Sequence, residues 1–251
     1  MNQSSRETRV LHAVDGLMDS LLDIFDVVDV LADLTTRCAG LLGVDAVGLM
    51  VADPSRRLRV IAASSERPRE LNLFRLQAAD GPCVDCYATG QPVSVADLNS
   101  AQSQWPQLVP AATGAGFASV HAVPVRAAGS VLGVLGLFAT TGGELDAADL
   151  LVMQALAHIA AVAISGRDHP ATPSAQSQMR SALARRLIVD RAQGFLQGTL
   201  SLSSDEALTL LRRYGRNRGE HVTEVARRLL TDRYYRPTML AAFTALAGQQ
   251  R

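Results

Sequence analysis

The sequence predicts an α+β domain with an antiparallel sheet, followed by an all-α bundle of three helices. Three observations carry this. Between residues 44 and 140 the hydrophobic pattern changes from helical to strand-like, and it ends in two apolar runs joined by Ala127-Ala128-Gly129-Ser130, a hairpin pattern. From about 179 to 233, three short apolar stripes recur at helical spacing. Charge divides at the same place. Residues 178–236 hold 12 Arg and 6 acidic residues, a net of +6, whereas the rest of the chain holds 12 Arg and 18 acids, a net of −6. A basic region of this kind suggests nucleic-acid contact, although a solvated basic surface has the same composition.

The 251 residues are enough for one or two domains with real cores. Every basic side chain is Arg and none is Lys, a compositional bias rather than a signal. Three cysteines, an odd number, argue against a secreted disulfide framework. No run approaches the ~18 apolar residues of a membrane span, and the N-terminus lacks a signal-peptide core. The expectation is a cytoplasmic protein with no membrane partner.

In chain order, residues 8–43 read as two helices. Val10, Leu11, Val14, Leu17, Met18, Leu21 and Leu22 line the first, and Val27, Val30, Leu31, Leu34 and Cys38 line the second, which Gly43 stops. Residues 46–51 and 58–63 are strands separated by the turn cluster Asp53-Pro54-Ser55. Residues 71–77 suggest a short helix. Another opens at Gly81, with Pro82 at its first position and Gly90 beyond its end. Residues 92–96 form a short strand, and 98–116 a loop-rich stretch holding the single Trp105. Strands over 117–125 and 131–139 make the hairpin. Asp146 then caps an apolar helix whose face includes Leu151, Ala155, Leu156, Ile159 and Ala163. Residues 167–178, with two Pro and two Ser, read as a linker.

The bundle begins with a stripe of Ile188, Ala192, Phe195 and Leu196. Ser203 followed by Glu206 is a capping box, and behind it Ala207, Leu210, Leu211 and Tyr214 share one face. Val222, Val225, Ala226, Leu229 and Leu230 form the third stripe, with Gly219 as its cap and Glu220 at the positive end of its dipole. Beyond Pro237, Met239, Leu240, Phe243 and Leu246 suggest a short tail helix.

Two stretches resemble known families. Gly81-Pro82-Cys83, Thr89-Gly90-Gln91-Pro92-Val93, Ser119-Val120-His121-Ala122-Val123-Pro124 and Val131-Leu132-Gly133-Val134-Leu135, in this order, resemble a GAF domain over roughly 20–166. That resemblance implies a sensory or dimerisation module able to take a small-molecule ligand. The run Ile188-Val189-Asp190-Arg191-Ala192-Gln193-Gly194-Phe195-Leu196, with Ser203-Ser204-Asp205-Glu206-Ala207, Leu210-Leu211-Arg212-Arg213 and Val225-Ala226, resembles an ANTAR domain. This implies a three-helix output domain that binds paired RNA hairpins in transcription antitermination. The expected division is an N-terminal helix over 1–19, a GAF sensor over 20–166, a linker over 167–178, the ANTAR domain over 179–236 and a tail over 237–251. The expected RNA-binding residues are Arg185, Arg186, Arg191, Gln193, Arg212, Arg213 and Arg216, with Tyr214 a stacking candidate only if it is exposed. The chain departs from the ANTAR pattern at Gln193, where Lys is usual, at Gly219, where Asn is common, and at Glu220-His221, where a basic pair is usual. Weaker or altered RNA binding is the consequence expected of those losses.

Other chemistry is sparse. Cys83 and Cys86 form a C-x-x-C whose first thiol lies near a helix N-terminus, where the dipole favours thiolate, so the pair is a redox candidate; packing is the alternative. Zinc lacks a second ligand pair. His121 in a strand and His158 in a helix are haem candidates, outweighed by a structural role. No phosphate loop, nucleophile elbow or H-E-x-x-H pair occurs, and an enzyme is not expected. The apolar stripe over 8–22 predicts a homodimer. Two rivals stay open: a helix-turn-helix that enters duplex DNA, and a thiol enzyme resembling the GAF proteins that reduce free methionine sulfoxide.

Overall fold

The computed structural model describes residues 3–22, 26–65, 67–165 and 175–248. They form two compact units, the first ending at Ser181 and the second starting at Ala182.

The first unit is built on a five-stranded antiparallel sheet in the order β2-β1-β5-β4-β3. Its strands are β1 (Ala46–Ala52), β2 (Leu58–Ala63), β3 (Val93–Val95), β4 (Ser119–Ala127) and β5 (Ser130–Ala139). Every residue of β1 is buried, as expected of a central strand covered on both faces. Helices α1 (Gln3–Leu22), α2 (Val27–Leu42) and α6 (Ala147–Ser165) cover one face. Helices α3 (Pro68–Ala79), α4 (Pro82–Thr89) and α5 (Leu108–Gly114) cover the other.

Local sequence explains the boundaries. Asp26 caps α2 by accepting from the Val28 amide, and Gly43 ends it at φ +65°. Pro82 opens α4, and Gly90 closes it in the left-handed region. Residues 98–116 are more ordered than the expected loop, holding a 3-10 turn (Leu98–Ala101) and α5; Trp105 is buried between them. The pattern missed these because helices of one or two turns are too short to display a period. Ala128 and Gly129, at φ +48° and +78°, form the two-residue turn between β4 and β5.

The α3/α4 face holds the aromatic core. Phe138 lies 5.5 Å from Phe74 and 5.1 Å from Phe117, ring centroid to ring centroid. Each buried Phe stabilises by roughly 1.5–3 kcal/mol. Gly48 makes room for this packing, since a Cβ there would come within 2.5 Å of the Phe74 ring.

On the helical face, α6 is long and apolar enough to cross a membrane by length and composition, against the expectation that no run is. Its packing on β4 accounts for that composition: Met153, Leu156, Ala157, Ile159 and Ala160 are buried. Leu151, expected on the buried face, is instead 66% exposed, and Val162 on α6 and Leu11 and Met18 on α1 are exposed too. Leu17 and Leu21 of the expected stripe pack inward, together with Ala13, which the stripe did not include. Arg6 ties α1 to the start of α6 through Asp149 and Asp146.

Among the described residues the second unit holds most of α7 (Ala175–Leu200) and all of α8 (Ser204–Arg216), α9 (Val222–Thr231) and α10 (Arg236–Gly248). Residues 166–174, most of the expected linker, lie outside the described residues, whereas 175–178 are already helical and the unit boundary falls inside α7. The expected tail is a full helix that packs on α8 and α9, with Met239 and Phe243 fully buried.

Candidate nucleic-acid interface

The bundle is locked at its turns. Ser203 Oγ accepts from the Glu206 amide at 3.3 Å, and Glu206 Oε2 accepts from the Ser203 amide at 2.7 Å, completing the capping box that the spacing predicts. The next turn is built on two glycines. Gly219 is left-handed at φ +64°, and a Cβ on Gly215 would come within 2.6 Å of the Glu220 carbonyl oxygen. Gly219 therefore serves the turn after α8, and His221, rather than Gly219, is the N-cap residue of α9. At the far end of α9, Arg236 donates to the Leu229 and Leu230 carbonyls at 2.8 and 2.6 Å, satisfying groups that a helix terminus leaves open.

The expected RNA-binding residues divide into two sets. Arg185 and Arg191 on α7 and Arg216 at the end of α8 are exposed. Arg212 and Arg213 are half-buried, and Arg213 Nη1 reaches the Leu246 carbonyl at 3.5 Å. Arg186 is buried and ion-paired with Asp190 at 2.7 Å. Gln193 is also buried, and its Nε2 donates to both the carbonyl and the hydroxyl oxygen of Ser204 at 2.8 Å. These two therefore do not lie on the solvent face where the family pattern suggested them. The partner of Arg186 is an i,i+4 neighbour on its own helix, whereas that of Gln193 lies on the next helix, where sequence spacing could not reveal it.

Glu220 likewise has an internal task. It is half-buried and ion-paired with Arg228 at 3.0 Å. Tyr214 is fully buried, 4.7 Å from the Phe243 ring, with the Arg218 guanidinium 3.9 Å above its own ring. It belongs to the core and is not a base-stacking platform. Arg218, which the sequence offers only as a substitute phosphate contact, is exposed, and Tyr234, which sequence reasoning missed, is 98% exposed in the α9–α10 turn. The fold of that turn is set by Asp232, whose carboxylate accepts from the Tyr234 and Tyr235 amides at 3.1 and 2.9 Å.

In the first unit, Cys83 and Cys86 are both fully buried and unbridged. Burial pushes the Cys83 thiol well above its ordinary range, and the neighbouring Cys86 adds to this. Burial also pushes Cys86 up to about 12, against the pull of Arg126. Desolvation thus outweighs the helix dipole, reversing the premise on which thiolate was expected. Cys83 instead donates to Gln77 Oε1 at 2.7 Å, and Gly136 leaves room for that pair: a Cβ there would meet both Cys83 Sγ and Gln77 Oε1 within 2.9 Å. His121 is buried against Ser94 Oγ at 2.6 Å, and desolvation lowers its pKa while Glu144 and Asp149 oppose the shift. Among the described residues no group of three His, Cys, Asp or Glu side chains gathers as a metal site.

A sensor-type α/β sandwich joined to a basic helical bundle defines a two-part signalling regulator. The chain belongs to the GAF domain family, whose model matches residues 26–165, and it carries an ANTAR domain over residues 177–230. No curated protein sequence matches it. Among solved structures, it is similar to the GAF domain of the Acinetobacter phosphoenolpyruvate-protein phosphotransferase, at 13% identity and TM-score 0.50, covering 73% of this chain and 97% of that one. It is also similar to the phycoerythrobilin-bound GAF domain of a cyanobacterial phytochrome, at 16% identity and TM-score 0.50, covering 70% of this chain and 99% of that one. At these identities the likeness establishes the fold alone.

Proposed function

We propose that this protein is a cytoplasmic, signal-responsive regulator whose ANTAR bundle binds RNA hairpins and acts in transcription antitermination. The observation that carries this reading is the set of exposed arginines, Arg185, Arg191, Arg216 and Arg218, on a bundle of the ANTAR family. Guanidinium groups pair with phosphate and stack on unpaired bases, the two contacts that a hairpin loop offers. Arg212 and Arg213 supply further positive charge from half-buried positions. Gln193, which braces α7 to α8, and Arg186, which pairs with Asp190 on its own helix, are buried and are left out of the interface.

The sensor acts by population shift: a signal in the GAF domain favours one assembly state and so changes how the arginines are presented. That assembly is a homodimer. Leu11 and Met18, seven residues apart on α1, and Leu151 and Val162, eleven apart on α6, leave two helices of one layer with exposed apolar stripes. Light scattering at micromolar concentration tests this, and a monomer mass rejects it. No catalytic role is assigned, because the cysteines that a thiol enzyme would use are buried and held protonated.

The deciding experiment is a competition between hairpin RNA and duplex DNA of matched length at two salt concentrations. Preference for the hairpin at both supports the reading, and preference for the duplex rejects it in favour of a helix-turn-helix regulator.

A further inference from the structure

A cavity of about 210 Å³ opens at the β3 edge of the sheet. It forms because β4 outruns β3. The pairing covers only residues 120–122 of β4, while β4 continues to Ala127. Beside this uncovered stretch, which contains Pro124, runs the Gly90-Gln91 connection out of α4. Gln154 and His158, one turn apart on α6, close the third side. A Pro on a sheet edge loses no ladder hydrogen bond, so the edge stays open without cost to the sheet.

The polar lining carries no negative charge. Arg126 brings a permanent positive charge, His158 an imidazole, and Gln91 and Gln154 two amides; no carboxylate lines the cavity. Arg126 sits where the β4–β5 ladder breaks register, between Val125 and Arg126, the sort of irregularity that re-aims a side chain. Its Nη2 donates to the Gly90 carbonyl, and a Cβ on Gly90 would come within 2.6 Å of that nitrogen. Gly90 thus serves both the left-handed end of α4 and the seat of the guanidinium. Among the described residues this is the one side-chain hydrogen bond of Arg126, and the side chains of Gln91, Gln154 and His158 make none to protein.

We propose that this cavity binds a small organic oxyanion, a carboxylate or a phosphate ester. A guanidinium with unspent donors, flanked by amide and imidazole donors and facing no protein carboxylate, matches an oxyanion and repels cations. The volume equals that of about seven waters at ~30 Å³ each, the scale of a small metabolite. Because α6 carries Gln154 and His158 between the exposed Leu151 and Val162, a bound anion touches the helix whose outer face is assigned to dimerisation. The inference deepens the sensor half of the proposed function and rests on it for that consequence alone; the binding itself involves no RNA.

Isothermal titration of the full chain with succinate and, separately, with inorganic phosphate tests it, at constant ionic strength set with chloride. Saturable binding of either anion at one site per chain is expected, and the stronger of the two names the source. Arg126→Gln should weaken it at least tenfold, and His158→Ala severalfold. Arg126→Gln also removes the contact to Gly90, so Gln154→Leu, which breaks no protein hydrogen bond among the described residues, is the second variant and should weaken binding in a fold that melts normally. Failure of both anions to saturate the wild type, or binding unchanged in all three variants, overturns the site. Either result leaves the hairpin competition untouched.

Discussion

Gln193 and Ser204 join two helices through a single amide group. From α7, Gln193 Nε2 donates to both oxygens that Ser204 presents at the start of α8. The arrangement turns a position that the family pattern assigns to RNA into a brace between secondary-structure elements. Gln193→Leu keeps the volume and removes the donor, so the half-buried Ser204 loses the bond to its hydroxyl and the second bond to a carbonyl that stays paired within α8. A loss of about 1–2 kcal/mol in urea unfolding is expected. An unchanged midpoint would show that water replaces the amide without cost.

Glu220 and Arg228 make the second internal contact at a position where the family usually places a cation. Glu220→Arg would set two guanidinium groups against each other in a site that is less than one-third exposed. The substitution should destabilise by about 1 kcal/mol or more. Adding Arg228→Glu, which restores the pair in reverse, should recover most of that loss. A double variant as unstable as the single one would mean that the pair is incidental.

The exposed arginines should reveal themselves through salt. Each phosphate contact releases a counterion, so Arg185→Gln, Arg191→Gln and Arg216→Gln should each lower the slope of log affinity against log salt by about one unit or slightly less. Arg180→Gln serves as the comparison, since Arg180 is also exposed but lies outside the proposed set. Hairpin titrations at several salt concentrations measure this. Equal slopes for wild type and all three variants would remove α7 and the end of α8 from the interface.

The thiols set a pH limit. Cys38 and Cys86 are pushed up to about 12, and Cys83 is raised as well, all mainly by burial. An unfolded thiol ionises near ~8.5. Groups whose folded pKa is raised contribute stability that is intact below the unfolded value and is lost as pH climbs toward the folded one. Stability should therefore hold to about pH 8 and fall between about 9 and 12, by up to ~1.4 kcal/mol per pH unit for each thiol. Cys38→Ala should flatten that fall. The same burial predicts slow reaction of native Cys83 and Cys86 with a thiol reagent at pH 8, and fast reaction in urea. Rapid native labelling or ready formation of a Cys83–Cys86 bridge would revive the redox role.

Much of the architecture was legible in short-range pattern. Gly43, Pro82 and Gly90 mark helix ends through backbone conformations that few residues accept, and Ser203 with Glu206 marks a start through reciprocal hydrogen bonds. The aromatic face and the all-buried β1 follow from apolar runs. What escaped were features fixed by contacts distant in sequence. Leu151 matches the helical period as well as Leu156 does, yet only the position of β4 decides which of them is covered. Gln193 looks like a lost cation until Ser204 is placed beside it. The cavity around Arg126 depends on β3 starting to pair only at Val93, so that β4 runs on past it, which no composition records.

The turn at Ala128-Gly129 also bears on how the molecule is made. Strands β4 and β5 meet across two residues, whereas β1 finds β5 only after the chain from Ala46 to Phe138 has looped back. Closing the long loop costs entropy that the hairpin does not incur, so the β4–β5 ribbon is the natural nucleus and β1 its late recruit. Ala128 hampers that nucleus by sitting at φ +48°, where a side chain is strained by about 1 kcal/mol. Ala128→Asn, giving the Asn-Gly pair that such turns favour, should speed refolding in stopped-flow experiments and leave unfolding nearly unchanged. The order of assembly of the sensor is thereby written into one residue far from anything it senses.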